Sequence, residues 1–403
     1  MKKIYFAIAA LAVMAAACQP EEKKGEVLSP DESKVTLDET LTKAVEMVDV
    51  ENWQSTAALI TDAEAVSQSL ETDETVYTWL STVMQSFNSE QDGISIITYD
   101  ASKAKGAFTI ADNKLSVAES DALTLSATLP SGTVCDADVK IADKGTKVLV
   151  ETEYVTDEAG NETEEVAGKV YVIVPTSVDA TVNAAGQKAL GVNLTTKLNL
   201  AGEAPTPTDT YEATAKVTSG SYTLAVTRAK YSPTEIVVNS EFKYGKTTVF
   251  AASLSAKGNV VFTEGEPDLA KTSGKVNASI KILNDVELKG DADWTKLSQY
   301  VGTPIDTEEN AKAIVAVLEK CVNLTLYIQK TAQAKLGFEV VVEPGSTDWN
   351  ILPVIRFEDG SAYQLPEEFF SEDGFPKTIE AINNLVAGID ALFAPTSESQ
   401  PLE

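Results

Sequence analysis

The feature that most constrains the fold of this chain is a two-residue alternation of apolar and polar side chains between Ile94 and about Leu288. Successive side chains of a β-strand point to opposite faces, so the alternation predicts strands with one buried and one solvated face. Strands of that kind are typical of antiparallel sheets. The pattern is clearest in the segments 123–129, 192–200, 211–218 and 275–281.

Turn-forming dipeptides separate these strands at short intervals. Each contains glycine or asparagine, residues that tolerate a positive φ angle. The order of strand, short turn and strand predicts a meander in which neighbours along the chain pair as hairpins. The turn signals include Asp112-Asn113, Lys144-Gly145, Ala185-Gly186, Ser219-Gly220, Tyr244-Gly245 and Lys257-Gly258.

A proline-rich segment interrupts the strand region at 204–208, where the sequence reads Ala-Pro-Thr-Pro-Thr. Such a composition favours an extended linker. Two interpretations are open: a break between two sub-domains, or a long loop within one sheet.

Helical patterns flank the strand region. Within 35–90, apolar residues recur at three- and four-residue spacing, and Thr61 with Glu64 has the form of a capping box. A further helix is predicted over 307–331, where apolar residues surround most of the circumference, which indicates a buried helix. A last amphipathic helix carries Ile379, Ile382, Val386, Ile389 and Phe393 on one face.

These patterns predict an α+β fold: a large curved antiparallel β-meander over 94–290, with helices at both ends of the chain packing on its apolar face. The N-terminal helical segment is 35–90, and the C-terminal part, 291–394, combines helices with short strands. The last residues, 395–403, are polar and are predicted to be disordered.

The N-terminus has the parts of an export signal, and we predict a signal peptide over residues 1–17. The chain begins Met-Lys-Lys, the segment 4–14 is apolar but too short to span a bilayer, and 15–17 is Ala-Ala-Ala. Cys18 follows directly. The alanines also satisfy the ordinary small-residue cleavage rule, which requires no cysteine.

The order of apolar stretch, small residues and Cys18 resembles the lipobox of bacterial lipoproteins, although Ala15 stands where that family usually has leucine. The resemblance implies cleavage before Cys18 and attachment of lipid to that cysteine. Several acyl chains on one residue anchor a protein firmly. The implied partner is therefore a membrane, reached through a lipid anchor.

The segment 18–34 is rich in charged residues, serine and proline, which predicts a flexible tether. It resembles the acidic stretch behind the lipidated cysteine of surface-exported lipoproteins of the Bacteroides type, with Glu21 and Glu22 at the matching place. This resemblance implies an outer-membrane, lipid-anchored location at the cell surface. It covers the signal and the tether, and it indicates no family for the body.

The composition argues against several classes of enzyme. The chain contains no histidine and three cysteines, one of them Cys18. Histidine-based nucleophiles, histidine-ligated metals and cysteine-ligated zinc or iron–sulfur clusters therefore lack their residues. No phosphate-binding glycine loop stands between a predicted strand and a predicted helix. We expect no catalytic residues, no cofactor and no enzymatic activity.

The net charge of −29, from 32 basic and 61 acidic residues, argues against nucleic acid as a partner because the chain repels phosphate backbones. The ordinary interpretation of this charge is a solvated surface. A glycan, a lipid or a protein is left open as the ligand.

One acidic segment has oxygen-bearing side chains at alternate positions. Asn88, Glu90 and Asp92, followed by Gly93, resemble the start of a calcium-binding EF-hand loop. The twelfth position is Tyr99, where that loop needs a bidentate glutamate. Calcium is therefore a candidate ligand at these residues, and an ordinary turn between a helix and a strand is the other interpretation.

Two further cysteines, Cys135 and Cys321, are predicted to face the core. Cys135 shares its strand parity with Val139, and Cys321 lies on the predicted buried helix. Two outcomes are open: a disulfide that ties the helix to the sheet, which persists in an oxidising compartment, or two separate buried thiols.

Together these patterns predict a membrane-tethered lipoprotein whose body is a non-enzymatic binding or structural module. The alternative is a carrier for a lipid or another hydrophobic ligand, in which the sheet forms a half-barrel around an apolar cavity closed by helices. The two hypotheses differ in one feature of the fold. The apolar side of the sheet is either filled by helices or left open as a cavity of the usual ligand-pocket size.

Overall fold

The structure is a computed structural model, and it describes residues 26–157, 161–263, 266–342, 349–357, 359–364, 369 and 374–393. The predicted signal peptide, Cys18, Glu21, Glu22 and the tail 395–403 lie outside these residues.

The fold class is α+β, as predicted, with a large and mostly antiparallel sheet and helices towards both ends of the chain. Short 3₁₀ segments lie at Val50–Trp53, Ala101–Lys103 and Ser298–Tyr300. The described α-helices are α1 (Pro30–Glu46), α2 (Gln54–Ser69), α3 (Glu74–Phe87), α4 (Trp294–Leu297), α5 (Glu308–Cys321) and α6 (Pro376–Phe393).

The described strands begin just after α2 and continue almost to α6. In the first half of the chain they are β1 (Glu71–Thr72), β2 (Asn88–Gln91), β3 (Ile94–Asp100), β4 (Gly106–Ala111), β5 (Lys114–Ala118), β6 (Leu123–Thr128), β7 (Val134–Ile141), β8 (Gly145–Thr156), β9 (Glu162–Pro175), β10 (Ser177–Ala184) and β11 (Gln187–Asn199). In the second half they are β12 (Thr210–Ser219), β13 (Tyr222–Ser232), β14 (Glu235–Tyr244), β15 (Thr247–Asn259), β16 (Phe262–Thr263), β17 (Glu266–Pro267), β18 (Ser273–Ile282), β19 (Val286–Asp293), β20 (Val322–Ile328), β21 (Thr331–Val342), β22 (Trp349–Phe357) and β23 (Ala362–Gln364).

The chain divides into two compact units. Unit 1 comprises Met1–Val50 and Val226–Ile389, and unit 2 comprises Glu51–Ala225 and Asp390–Glu403. The division of the strand region therefore falls inside β13, and not in the proline-rich segment 204–208.

The segment 204–208 belongs to a hairpin loop in unit 2, because β11 and β12 pair antiparallel on either side of it. The buried Asp209 holds this loop. Its carboxylate accepts hydrogen bonds from the backbone N–H groups of Ala201 at 2.7 Å and Thr206 at 2.6 Å. These bonds, that of Ala201 foremost, keep the pKa of Asp209 below its ordinary value. The structure thus supports the loop interpretation over a sub-domain break.

Strand pairing in unit 2 is mixed. Antiparallel pairs join β6 to β7, β7 to β10, β10 to β11 and β11 to β12. β4 pairs with β5 antiparallel but with β6 parallel, and β3 pairs with β9 parallel in a four-stranded sheet of order β2-β3-β9-β8. The parallel pairs depart from the predicted simple meander.

Unit 1 contains the predicted meander in its simplest form. β14, β15, β18, β19, β20, β21, β22 and β23 pair antiparallel, each with the next in this order. The connection between β19 and β20 carries α4 and α5. Because side chains alternate along each strand, the sheet has one apolar and one polar face.

Helices fill the apolar face of the sheet within unit 1, as predicted. Leu37 of α1 lies in one core cluster with Ile328 and Phe357, whereas Ile314 and Leu318 of α5 lie in a second cluster. Burial of large aliphatic and aromatic side chains stabilises each contact by roughly 1.5–3 kcal/mol per side chain. The other members are Val286, Ala334, Ile355, Phe369 and Phe375 in the first cluster, and Leu297, Cys321, Val322 and Phe338 in the second.

The prediction of a helix over 307–331 is wrong for its second half, from Val322 onward. α5 ends at Cys321, and β20 follows directly. Along β20, apolar residues at 322, 324, 326 and 328 alternate with Asn323, Thr325 and Tyr327, which is a strand pattern. The all-round apolar character therefore arose from joining an amphipathic helix to a strand.

The first helix begins earlier than the sequence patterns predict. α1 starts at Pro30, so the last residues assigned to the flexible tether, 30–34, are helical. Ser29 caps this helix and Glu32 accepts a hydrogen bond from the Ser29 backbone, which completes a capping box. Thr61, the predicted capping residue, lies inside α2. The polar segment at 29–32 is thus a helix start.

A buried carboxylate joins α1 to α6. Asp38 is 5% exposed and accepts hydrogen bonds from the Thr378 N–H at 2.8 Å, the Thr378 hydroxyl at 2.7 Å and the Lys377 N–H at 3.2 Å. N–H groups in the first turn of a helix have no acceptor within that helix. Asp38 therefore caps α6 from a position 340 residues earlier in the chain.

A buried amide holds the N-terminal end of the described chain against β21. The Oε1 atom of Gln333 accepts the Leu28 N–H at 2.7 Å, and its Nε2 atom donates to the Glu26 carbonyl at 3.1 Å. Gln333 is 1% exposed. The side-chain amide therefore pairs with backbone as a neighbouring strand would.

The predicted apolar face of α6 is partly exposed. Ile382, Val386 and Ile389 are 44%, 50% and 42% exposed, respectively. Across the described part of the chain, no helix combines the length and the hydropathy that crossing a membrane requires.

Candidate functional site

The calcium candidates lie in a hairpin of unit 2. Asn88 and Glu90 are in β2, which pairs with β3, and Asp92 and Gly93 form the turn with φ angles of 52° and 81°. Positive φ at both turn positions favours Asp-Gly in two-residue hairpins. Within the described ranges, no group of three or more Cys, Asp or Glu side chains is placed to hold a metal ion. The geometry supports the interpretation as a turn. The turn connects two strands, β2 and β3, and not a helix and a strand as predicted.

The two cysteines of the body are separate free thiols, so the structure contains no Cys135–Cys321 disulfide. Cys321 is buried in the second core cluster of unit 1, beside Leu318 and Phe338. Cys135 is half-buried on β7 of unit 2, where burial raises the pKa of its thiol. The two thiols belong to different compact units. Of the two predicted outcomes, the structure therefore has the two separate thiols.

The polar face of the unit 1 sheet contains the candidate site. A groove of about 700 Å³, the first groove, runs across this face from β13 to β20. A second groove of about 670 Å³ begins at β20, extends to β22 and shares Asn323, Thr325 and Tyr327 with the first. The two grooves therefore adjoin along one strand.

Strand register brings polar side chains into rows that cross the sheet. Residues opposite one another on neighbouring strands lie about 5 Å apart, so a row forms a continuous polar track. The polar Asn277 row consists of Ser255, Asn277, Asp291 and Asn323 on consecutive strands, and it ends at the apolar Val237 on β14. The Lys289 row consists of Asn239, Ser253, Ser279, Lys289, Thr325, Lys335 and Arg356.

Hydrogen bonds within the Asn277 row are long. The Asn277 Nδ2 atom lies 3.5 Å from Ser255 Oγ, and Asn323 Nδ2 lies 3.4 Å from Asp291 Oδ2. Bonds near the upper distance limit are weak. Amide and hydroxyl groups held this loosely retain the capacity to bind a ligand that offers better geometry.

Lys289 stands in the middle of the first groove between an aromatic ring and a carboxylate. Its Nζ atom lies 4.5 Å from the centroid of the Tyr327 ring and 3.4 Å from Glu287 Oε2. Glu287 also accepts a hydrogen bond from Ser279 at 3.3 Å. A cation over the face of an aromatic ring is held in place by the ring's negative face.

Cations outnumber anions among the residues that line the first groove. Arg228, Lys257 and Lys289 face Glu235 and Asp291 there, whereas the chain as a whole carries a net charge of −29. The lining is therefore less acidic than the chain as a whole and repels anionic groups less, although Glu235 and Glu287 pair with two of its lysines.

Glu235 forms ion pairs with two lysines at one end of the first groove. These are Lys230 and, at 3.4 Å, Lys257. The hydrogen bond from Lys230 is the main cause that lowers the pKa of Glu235. This carboxylate is therefore ionised at neutral pH.

The second groove lies where β20 and β21 diverge. In their described register, these strands pair only from Thr325 with Lys335 to Ile328 with Thr331, with an irregularity after Leu326. Before Thr325 on β20 and after Lys335 on β21, the two strands no longer pair with each other in this register. There β20 pairs with β19 alone, and β21 pairs with β22 alone. The gap exposes backbone groups of β21 to side chains from α5 and β22.

Glu319 of α5 and Arg356 of β22 meet in this gap. One carboxylate oxygen of Glu319 accepts hydrogen bonds from the Phe338 N–H and from Arg356 Nη1, both at 2.8 Å. Arg356 Nη2 donates to the Phe338 carbonyl at 2.9 Å. A Cβ atom on Gly337 would lie 2.7 Å from the guanidinium, so glycine is needed for Arg356 to cross β21.

The chain contains two arginines, Arg228 and Arg356, and each lines one of the two grooves. Arginine presents a rigid fork of donors that suits carboxylates. Sequence patterns did not identify the groove residues, because the rows depend on strand register. The rarity of arginine, which accounts for two of the 32 basic residues, is the signal that the sequence alone contained.

No family model, no curated protein and no solved structure matches this chain. The functional interpretation therefore depends on the geometry of the grooves and on the N-terminal sequence.

Proposed function

We propose that this protein is a lipoprotein, tethered to the outer membrane through Cys18 and displayed at the cell surface, whose body is a non-enzymatic binding module. The polar face of unit 1 is its binding surface. The observation that carries the proposal is the pair of adjoining grooves, of about 700 and 670 Å³, lined by rows of hydrogen-bonding side chains. Their size is that of ordinary ligand sites.

The N-terminal sequence supports the tether. Its positive start, apolar stretch and small residues before Cys18 suit export and lipidation. Gln333 holds the backbone at Glu26 and Leu28, and Glu26 lies eight residues after the proposed lipidated position. The membrane partner is therefore reached through a short connection.

The state of the groove carboxylates supports binding without catalysis. A glycoside hydrolase needs one carboxylic acid with a raised pKa to protonate the leaving group. Glu235, which lines the first groove, has a lowered pKa, and Glu287, which is no lining residue but contacts Lys289, is ion-paired with Lys281 at 3.3 Å and with Lys289 at 3.4 Å. Carboxylates held by lysines in this way suit ligand binding better than proton donation.

Packing of the apolar face supports a binding module over a hydrophobic-ligand carrier. A carrier needs an open apolar cavity, whereas α1, α4 and α5 contribute to core clusters on the apolar side of the unit 1 sheet. The first groove lies on the polar side of this unit, and the second opens in the gap between β20 and β21. The ligand that suits them is hydrophilic.

Native mass spectrometry of the detergent-solubilised full chain, purified from its own host, tests this function. We expect a bound hydrophilic molecule that the double variant Asn277→Leu, Lys289→Met fails to retain. The matched control is Asn193→Leu in unit 2, where the asparagine bonds Asp179 on the neighbouring strand as Asn277 bonds Ser255. Equal retention by the groove variant and the control would contradict the proposed binding surface.

A further inference from the structure

The second groove contains a carboxylate receptor that the chain fills with its own Glu319. The receptor consists of the Phe338 N–H and the Arg356 guanidinium, which converge on one oxygen of Glu319 at 2.8 Å each. Charge-assisted bonds of this kind are among the strongest that a carboxylate forms. A backbone N–H and a guanidinium aimed at one point form a carboxylate site whichever molecule supplies the carboxylate.

The receptor is organised independently of Glu319. Arg356 is fixed by its second bond to the Phe338 carbonyl at 2.9 Å, and it lies across Gly337, whose missing side chain makes the room. Arg356 also closes the Lys289 row on β22. Removal of the Glu319 carboxylate therefore leaves both donors in place.

Glu319 is a poorly suited occupant. It lies two residues before the end of α5, where the helix dipole disfavours a negative charge. Its side chain is 34% exposed, so water can reach it and it can swing out of the groove. A carboxylate with no such conflict competes with it on favourable terms.

We propose that the binding surface takes an acidic glycan, and that a uronate carboxylate of this glycan displaces Glu319 from Phe338 and Arg356. This inference rests on the proposed binding function and names its ligand class. The sugar chain then follows the Lys289 row, where successive side chains lie one strand spacing, about 4.8 Å, apart. Lys289 lines this path in the first groove.

A glycan fits this surface better than a peptide does. Across the first groove, from β14 to β20, the backbone groups of the sheet are already paired, so an extended peptide finds an edge to extend only in the gap between β20 and β21. The face offers amide and hydroxyl side chains, such as Asn239, Asn277 and Ser255, instead. These groups both donate and accept, as sugar hydroxyls do.

The test measures binding of the full chain in detergent to polygalacturonate and to the same polymer with every carboxylate methyl-esterified. We expect the acid form to bind and the ester form to bind at least about tenfold more weakly. Glu319→Gln replaces the internal carboxylate by a neutral amide that the two donors bind more weakly, and it should raise the affinity for polygalacturonate about tenfold. A gain of affinity is not an outcome of misfolding.

Matched variants separate this effect from a general change of charge. Glu308→Gln removes a carboxylate from the first turn of the same helix, where it pairs with Lys312, and should leave the affinity unchanged. Arg356→Gln should abolish the preference for the acid form, and Arg356→Lys should restore part of it. Thermal unfolding of each variant confirms that it is folded.

The outcomes separate the inference from the proposed function. Equal binding of both polymers, or no gain from Glu319→Gln, overturns the carboxylate inference and leaves the binding function standing. No binding of either polymer, with no bound molecule in native mass spectrometry, overturns both. Poly-glutamate that binds with the same dependence on Glu319 would identify a peptide ligand. Monomeric galacturonate as strong as the polymer would identify a free small carboxylate. Either result overturns the glycan assignment.

Discussion

Asp73 illustrates how one side chain in unit 2 serves a helix and a strand together. Its carboxylate accepts the Thr75 N–H at 2.9 Å, which caps α3, and pairs with Lys114 of β5 at 2.6 Å. The hydrogen bond from Lys114 is the main cause that lowers the pKa of Asp73 from 3.8 to about 2. The folded protein therefore binds this proton more weakly than the unfolded chain does.

A pH dependence follows from this lowered pKa. The stabilisation from ionised Asp73 is fully present above its unfolded value of 3.8 and is lost as the pH falls through about 2. Asp73→Asn keeps a capping side chain but removes the charge. We expect the variant to be less stable than the wild type at pH 7 and to lose less stability between pH 4 and 2. Urea unfolding at several pH values measures this, with Glu74→Gln at the adjacent exposed position as the control.

At the scale of elements, two neighbouring carboxylates of α1 contact the start of α6 in different ways. Asp38 is buried and accepts three hydrogen bonds, whereas Glu39 is exposed and pairs with Lys377 at 3.0 Å. Their comparison isolates the effect of burial at one helix junction.

Asp38→Ala should destabilise unit 1 by about 2–4 kcal/mol, because it leaves buried N–H and hydroxyl groups of α6 without an acceptor. Glu39→Ala should cost at most about 1 kcal/mol, as exposed ion pairs do. Denaturant unfolding measures both, and hydrogen exchange should show faster exchange of the first-turn amides of α6 in the Asp38 variant alone. Similar losses in the two variants would contradict the assigned role of Asp38.

Local periodicity explains which elements were predictable. β12 and α6 appear where alternation or helical spacing predicts them, and the positive φ angles at Asp112, Asn113 and Ala185 match predicted turns. Lys257 and Gly258 do not form a turn but lie within β15. Gly258 there meets the backbone of Gly274 on β18 so closely that a Cβ atom would not fit. Glycine is needed here for the close approach of two strands. The dipeptide Lys-Gly in the sequence looks the same whether it forms a turn or allows such an approach.

The candidate site was not predictable in the same way. Each of its residues reads as an ordinary solvated position of an alternating strand, and only the register of five or more strands brings them into rows. The gap that holds Arg356 depends on where β20 and β21 separate, which was hidden because β20 was predicted as helix. Long-range pairing therefore determines the site, and periodicity contains no information about such pairing.

At the scale of the whole molecule, we expect Cys18→Ala to release the protein from the membrane fraction. Lipid on this cysteine is the proposed anchor, and the described helices include no membrane span. Fractionation and immunoblotting measure the release, with Cys135→Ala as the cysteine control that stays with the membranes. Continued sedimentation of the Cys18 variant with membranes would contradict the proposed anchor.

Surface display makes a separate prediction about Glu21 and Glu22. Changing both residues to alanine should protect the protein from protease added to intact cells, because the acidic stretch is the proposed export determinant. The wild type should be digested under the same conditions, and Glu164→Ala with Glu165→Ala gives an exposed acidic pair of the body as a control. Equal digestion of the wild type and the Glu21/Glu22 variant would contradict the export proposal.

The clamp formed by Gln333 determines how this molecule would respond to mechanical force. If a lipid holds Cys18 and a large ligand pulls on the grooves, the tension enters the body at Glu26 and Leu28, each of which forms one hydrogen bond with Gln333. Gln333 itself lines the second groove, so the load passes over a few neighbouring strands of unit 1. Residues 51–225 lie outside this path. A strong pull would therefore release Glu26 and Leu28 first, which lengthens the tether before any strand of the binding surface separates.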